Sequence, residues 1–344
     1  MRVTACVVSW NSAAQLGGAL DSLLAQGPES GLAEVVVVDN ASVDDSRDVA
    51  RARRDVRLIA NARNRGFAGA ANQGIAAARA AGSDAVLVCN PDVRLEPGYL
   101  AAALRALAAD DRRAAVQGRL WRMTATGEPV LVDGRRVLDT TGHVAFRTRL
   151  FRNRGEGQPD DGAYDRPDEV FGVSGALALY RLAALDDVAL DGQVYDEDLF
   201  AYWEDVDLDW RLQLRGWQAW YEPGAHAWHE RGGAGPRRSA LVERLNFTNR
   251  FLVVLKNDDL GALARALPGV ALTTLLKAGE LALTVPSAFL ASPAALRLVP
   301  ATLAKRRRVQ ATATVPPGAV VDRWFEPFDY AAWVRTWWRR VRAS

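Results

Sequence analysis

The stretch EVVVVDNAS, residues 34–42, sets four valines in a row ahead of an acid, an amide and two small residues. An unbroken run of β-branched residues suits a parallel strand whose two faces are both covered by helices. The polar residues that follow mark a ligand edge, because open parallel sheets bind beyond the carboxyl ends of their strands. The same pattern repeats on either side. Arg2–Ser9 reads as a strand. Ser12 with Gln15 reads as a capping box before a helix through Leu16, Leu20 and Leu23. Ser42 with Asp45 opens a second helix, and Val56–Ala60 is a third strand. Gly66–Ala81 is a helix of small residues, and Ala85–Cys89 a fourth strand. This alternation predicts an α/β fold, a Rossmann-like, mostly parallel sheet flanked by helices.

The remaining chain is less regular. Val130–Val137 predicts a hairpin turning at Asp133-Gly134, and Gly155–Glu169 a loop or mobile lid. Asp196–Arg215 predicts an acidic, aromatic helix ended by Gly216, and Ala219–Tyr221 a strand ahead of His226 and His229. Leu241, Leu245, Leu252 and Leu255 fall along one helical face, and beyond Leu260 the helices are broken by prolines.

Composition bounds the function. With 344 residues, 49% apolar and 24% charged, the chain has core material for about two domains. That excludes wholesale disorder, collagen-like repeats and a polytopic membrane protein. Two cysteines, Cys6 and Cys89, lie in apolar runs and read as buried thiols; they exclude a disulfide scaffold and a Cys-built zinc site. The net charge of +2 divides unevenly: residues 301–344 carry +6 and residues 1–300 carry −4. In that end region Lys305–Arg308, Trp324, Trp333, Trp337, Trp338 and Arg339–Arg342 mix basic and aromatic side chains. The mixture suits an anionic membrane surface, while packing on the catalytic domain or into a homo-oligomer would use the same residues. A nucleic-acid partner is not expected, since the body is acidic. No signal peptide is read at the apolar start, and the uncharged Leu281–Leu296 falls short of a membrane span. The expected location is cytoplasmic, peripheral on the inner face of the cytoplasmic membrane.

Four segments follow predicted strands and converge on one edge: Trp10-Asn11, Asp39 to Ser42, Asn61 to Gly69, and Asn90-Pro91-Asp92. Asp39 can accept hydrogen bonds from a ribose or a base. Small residues around Gly66 and Gly69 let the backbone approach a phosphate beside Arg65. Asn90-Pro91-Asp92 is either a β-turn or a place where Asp92 holds a divalent cation against a diphosphate. The richest segment is WEDVDLDWR, residues 203–211, with four acids between tryptophans. Asp207 and Arg211 are spaced as a structural pair, and a carboxylate beside aromatic walls can act as a general base. His226 and His229 alone are weak evidence for zinc.

Taken in order, VVSWN (7–11), VVVVDNASVDDS (35–46), NRGFAGAANQGI (64–75), LVCNPDV (87–93), FGVSGALALYR (171–181), WEDVDLDWRLQLRGW (203–217) and AWHERGG (227–233) resemble the family 2 inverting glycosyltransferases of GT-A fold. The resemblance is to their bacterial rhamnosyltransferase-like branch and covers about residues 3–255. It implies a catalytic domain over 1–250 and a helical, basic, Trp-rich region over 251–344. Catalysis would fall to Asp205 as base, with Glu204 beside it. The donor would meet Trp10, Asn11, Asp39, Asn40, Asn64, Arg65, Gly66, Gly69, Asn72 and Asn90. The acceptor would meet Gly172, Ser174, Gly175 and Trp203. A divalent cation, Mg²⁺ or Mn²⁺, would sit on Asp92 and His229, with Asn90 replacing the first acid of the family's D-x-D. The implied reaction transfers a sugar from a nucleotide-diphosphate donor to a hydroxyl of a glycan or polyprenyl-diphosphate-linked saccharide, in cell-surface polysaccharide synthesis. The favoured donor is dTDP-L-rhamnose, with UDP- or GDP-hexoses as alternatives. A nicotinamide dehydrogenase would need G-x-G-x-x-G after the first strand, where Trp10-Asn11-Ser12 stands. An inactive binding or scaffold protein would be expected to lack the acids at 92 or 205.

Overall fold

The computed structural model describes residues 1–231, 239–331, 333 and 334. It divides into two compact units, residues 1–143 with 152–235, and residues 144–151 with 236–344. The sequence reading drew its boundary at 250, inside a helix that the second unit holds whole.

The first unit begins with the expected alternation: β1 (Val3–Ser9), α1 (Ala13–Leu24), β2 (Leu32–Asp39), α2 (Ser46–Arg51), β3 (Val56–Ala60), α3 (Gly66–Ala80) and β4 (Ala85–Cys89). Val35 to Asp39 are buried without interruption, as the valine run requires. β1 pairs in parallel with both β2 and β4, and β3 pairs in parallel with β2. Cys6 and Cys89 are fully buried in this core, and burial pushes the Cys6 thiol up to about 12.

The chain continues through β5 (Val93–Leu95), α4 (Tyr99–Ala108), β6 (Arg113–Arg122), the hairpin of β7 (Leu131–Val132) and β8 (Arg135–Arg136), and β9 (Leu138–Thr140). β10 (His143–Phe146) and β11 (Phe151–Asn153) follow, then β12 (Asp168–Val170), β13 (Leu177–Arg181), α5 (Leu182–Asp187), α6 (Glu204–Leu214) and β14 (Gln218–His229). The large sheet runs β12-β14-β6-β13-β4-β1-β2-β3. It is mixed, because β13 enters antiparallel between β4 and β6 while β14 lies parallel to β6. The expected parallel half therefore holds, and of the strands that make the other half the sequence pattern marks only the Ala219–Tyr221 part of β14.

Three local expectations need correction. Ser12 makes no side-chain cap; its hydroxyl meets the Ser9 hydroxyl and accepts from the Trp10 N–H, so the capping box does not form. Ser42 opens no helix either, since its oxygen accepts from the Asn11 N–H and α2 starts later, at Ser46. The expected helix over 196–215 is broken at Phe200, Tyr202 and Trp203, whose φ angles of 64°, 67° and 73° are left-handed, and α6 starts only at Glu204. In addition, His226 and His229 lie within β14 rather than after it. The Gly155–Glu169 segment is loop as expected through Pro167, but its last two residues, Asp168 and Glu169, open β12 and pair with β14. Arg119 ties the loop down through the Asp160 and Asp165 carboxylates and the Tyr164 carbonyl.

The second unit contains α7 (Ala240–Asn257), α8 (Leu260–Thr284), α9 (Pro286–Ala291), α10 (Val299–Thr312), α11 (Pro317–Trp324) and β15 (Phe325–Glu326). β15 pairs in parallel with β10. Within this unit the Arg149 guanidinium clasps the buried Asp258 carboxylate at 2.7 and 3.2 Å, and Arg250 donates to the Thr148 and Arg149 carbonyls. Trp337, Trp338 and Arg339–Arg342, singled out from the sequence, lie outside the described residues.

Candidate active site

The carboxyl ends of β1, β2 and β4 carry the first group of site residues. Trp10 is 44% exposed at the end of β1. Asn11, at φ 50°, accepts from the Val43 N–H through its side chain, which ties the β1 and β2 loops together. Asp39 is fully buried at the end of β2. Its Oδ1 accepts from Arg47 Nε at 2.6 Å and from the Ser42 N–H, whereas Oδ2 is buried with no hydrogen-bond partner. A buried carboxylate oxygen left without a donor is costly. That atom is suited to a ribose hydroxyl or base N–H.

Asn40 is a hub. It donates to Asn64 Oδ1 and the Gly66 carbonyl, and accepts from the Arg65 N–H and from Asn61 Nδ2. Asn72 bonds both the N–H and the carbonyl of Tyr195 and also donates to Glu197, while Arg65 pairs with Glu197 at 3.2 Å. The side chains of Asn40, Asn64 and Asn72 thus hold the loop itself, and what they leave for a ligand is backbone. Gly66 is required there: its φ is 73°, and an added Cβ would overlap the Phe200 carbonyl, which accepts from the Ala68 N–H. Gly69 lies one turn further into α3, where an added Cβ would meet the Arg65 side chain.

The second group surrounds Asp205. The left-handed Trp203 stops the preceding chain, so Glu204 and Asp205 occupy the first turn of α6, where the helix dipole favours anions. The two acids have different environments. Glu204 is 6% exposed with Oε2 unpartnered; burial first, then the neighbouring Asp205 and Asp207 charges, hold its carboxyl well above the usual carboxylate range. Asp205 retains 19% side-chain exposure, and its Oδ2 accepts from the Gly175 N–H at 3.0 Å. Of the pair, Asp205 is the carboxylate within reach of solvent. Asp207 pairs with Arg211 at 3.0 Å inside the protein, as its spacing predicts.

His143 and Asp209 complete this group, and the sequence reading gave neither a role. The His143 ring is buried between two carboxylates, Nδ1 at 2.8 Å from Asp209 Oδ2 and Nε2 at 3.6 Å from Asp205 Oδ2. Burial alone would lower the His143 pKa; the Asp205 charge and the Asp209 hydrogen bond outweigh it and raise the value. Burial likewise lifts the Asp209 carboxyl to about 6, against the hydrogen bond from His143. Gly172 permits this contact, because a Cβ there would overlap the Asp209 carboxylate, and Val173 donates its N–H to the same group. Ser174 is fixed by its own N–H, which donates to the buried Gln117. The Gly172–Ala176 loop is therefore moulded onto the acids of α6. The scarcity of histidine was the one signal that could have marked His143.

The third group is Asp92 with His229. His229 Nε2 lies 3.3 Å from Asp92 Oδ1, and Nδ1 lies 2.7 Å from Asp139 Oδ2. Asp139, which the sequence did not mark, is 1% exposed. With both acids close, the His229 pKa rises to about 10, although burial acts to lower it. Asp92 Oδ1 is buried and, apart from this approach of His229, accepts no hydrogen bond. A buried carboxylate oxygen facing an imidazole nitrogen, with the other nitrogen held by a second carboxylate, is a donor set that fits a divalent cation once the imidazole gives up its Nε2 proton. Among the described residues no three His, Cys, Asp or Glu side chains are arranged so that all could hold one metal ion, so the remaining ligands would be phosphate and water oxygens. The groups are linked through the chain: the Asn90 N–H donates to the Ala176 carbonyl, next to Gly175, whose N–H is on Asp205.

Comparison with known proteins bears on the family and the fold. The family model described as Glycosyl transferase family 2 matches residues 4–188. An N-acetylglucosaminyl-diphospho-decaprenol L-rhamnosyltransferase of Mycobacterium tuberculosis is 33% identical over 230 residues, 60% of this chain and 69% of the relative. The succinoglycan biosynthesis protein ExoO of Rhizobium meliloti is 49% identical over 79 residues, 22% of each chain. Among solved structures, GalNAc-T7 with UDP, GalNAc and Mn²⁺ superimposes with a TM-score of 0.59 at 15% identity, over 74% of this chain but only 48% of that longer one. S. aureus TarS 1–349 in complex with UDP-GlcNAc gives 0.53 at 17% identity, over 91% and 84%. These likenesses show the fold, a mixed sheet flanked by helices with a helical region after it.

Proposed function

Because the chain belongs to glycosyl transferase family 2, we propose that it is an inverting glycosyltransferase acting at the edge where Asp39, Asp92 and Asp205 lie. The proposed donor is a nucleotide-diphosphate sugar, dTDP-L-rhamnose before UDP- or GDP-hexoses. The proposed acceptor is a hydroxyl of a polyprenyl-diphosphate-linked saccharide in cell-surface polysaccharide synthesis, used at the cytoplasmic face of the membrane. Support for sugar and acceptor comes from the mycobacterial relative, an L-rhamnosyltransferase acting on N-acetylglucosaminyl-diphospho-decaprenol. The observation that carries the mechanism is the Asp205 carboxylate, in the first turn of α6, held by the Gly175 N–H and flanked by His143.

In this reading Asp39 binds the nucleoside through its free buried oxygen, and the backbone around Gly66 accommodates the donor. Asp205 takes the proton from the acceptor hydroxyl as that oxygen attacks the anomeric carbon, and the nucleoside diphosphate leaves from the opposite face. His143, anchored by Asp209, holds the Asp205 carboxylate in place. Asp92 and His229 would hold a divalent cation, which when bound offsets the charge of the diphosphate. Asp139 keeps the His229 ring turned toward Asp92. One displacement inverts the anomeric centre, and no covalent nucleophile is needed.

A nucleotide panel tests the reading. dTDP, UDP and GDP at saturating concentration, each with and without Mn²⁺, are expected to raise the melting temperature, dTDP most and Mn²⁺ adding to it. Flat melting curves across the panel would remove the donor site, and a preference for UDP or GDP would replace the favoured sugar nucleotide.

A further inference from the structure

Within the second unit, α8 is two-sided in an unusual sense. One side is packed: Ala262, Thr273, Glu280 and Leu281 are buried, Thr273 accepts from Arg250, and Lys277 bridges Glu280 at 3.0 Å and Glu243 at 3.1 Å. The other side is apolar and open. Leu260, Leu267, Leu272, Leu275 and Leu283 are 46–71% exposed and recur along that face, with the exposed Ala264, Pro268, Ala271 and Ala282 between them. The apolar exposure continues along the chain in Leu290 at 75% and Leu296 at 70%. Exposed apolar area on this scale marks an interaction surface.

Charge tells what kind. Residues 260–312 contain seven basic residues and one acid, and that acid, Glu280, is buried against Lys277. Arg265, Arg297, Arg307 and Arg308 are exposed. By length and composition, Leu260–Thr284 and Pro286–Thr312 are each apolar enough to cross a membrane. The packed, ion-paired side of α8 instead suits a helix lying in the interface, with leucines in the acyl boundary and arginines at the headgroups.

We propose that the exposed leucine face of α8, together with the exposed Leu290 and Leu296 and the exposed Arg265 and Arg297 of the same unit, docks the protein on an anionic lipid surface. The sequence reading placed lipid contact at residues 301–344; this inference places it earlier, on a face described in full. That docking serves a lipid-linked acceptor rests on the proposed function; the docking itself does not.

The test is flotation of the full chain with phosphatidylcholine vesicles, with and without about one part in three phosphatidylglycerol. The protein is expected to float with the anionic vesicles and to be released as salt rises. Leu272→Gln with Leu275→Gln should weaken that binding by about tenfold or more. Arg265→Gln with Arg297→Gln should weaken it on anionic vesicles while leaving the residual binding to neutral ones unchanged. All four sites are exposed, and an unchanged melting temperature confirms folding of each variant. No flotation of the wild type, or full flotation of the leucine variant, overturns the proposal. So does a concentration-dependent dimer in sedimentation velocity that the leucine substitutions dissociate, which would make a second copy the occupant. Flat melting curves with nucleotides beside intact flotation would defeat the functional reading and leave this one standing.

Discussion

Asp205 and Glu204 are adjacent in sequence, and only their environments separate them. Glu204 is buried and biased toward its neutral form, while Asp205 presents an oxygen to the Gly175 loop. Asp205→Asn keeps the size and most of the hydrogen bonding but cannot accept a proton. Turnover should fall about 10²–10⁴-fold with nucleotide affinity unchanged. Steady-state transfer with a parallel binding titration checks this, and near-normal turnover would disqualify Asp205. His229 supplies a pH test. A histidine whose folded pKa is raised contributes stability that is fully present below its unfolded value, near 6.5, and is lost as pH rises through about 10. In metal-free buffer the stability gap between wild type and His229→Gln should therefore be largest in mild acid and shrink toward pH 10. Urea unfolding across that range would show it; a constant gap would mean that His229 is not held charged by Asp92 and Asp139. The family resemblance put Asp92 and His229 on one cation. It could not pair them with Asp139, because the contact joins β14 to β9 across 90 residues.

At the scale of elements, legibility followed periodicity. The parallel strands through β4 and helix α3 were readable because a valine run and a small-residue helix have no competing pattern. α6 was read as part of a longer helix, because left-handed Phe200, Tyr202 and Trp203 carry no propensity signal; bulky residues rarely adopt that conformation. The break nevertheless makes the site: it sets Glu204 and Asp205 at a helix start and presents the Phe200 carbonyl to α3. Gly66→Ala tests that coupling. The new methyl meets the Phe200 carbonyl in a left-handed backbone, so the variant should lose about 2–4 kcal/mol of stability. A change below about 0.5 kcal/mol in denaturant unfolding would show that the segment yields freely.

For the whole molecule, the α/β class and the site edge could be read in advance, whereas the mixed half of the sheet and the unit boundary could not. β13 and β14 reach their partners over long chain separations that local pattern does not encode. The exposed leucines of α8 were likewise hidden, since an apolar helix reads the same whether it is buried or open. What unites the molecule is one claim, that a single displacement at the Asp205 edge moves a sugar from a nucleotide to a hydroxyl. The anomeric configuration of the product measures it most directly, by NMR after incubation of the full chain with dTDP-L-rhamnose, Mn²⁺ and a polyprenyl-diphosphate-linked N-acetylglucosamine. A glycoside of configuration opposite to that of the donor is expected; a product that retains the donor's configuration would contradict a single displacement at Asp205.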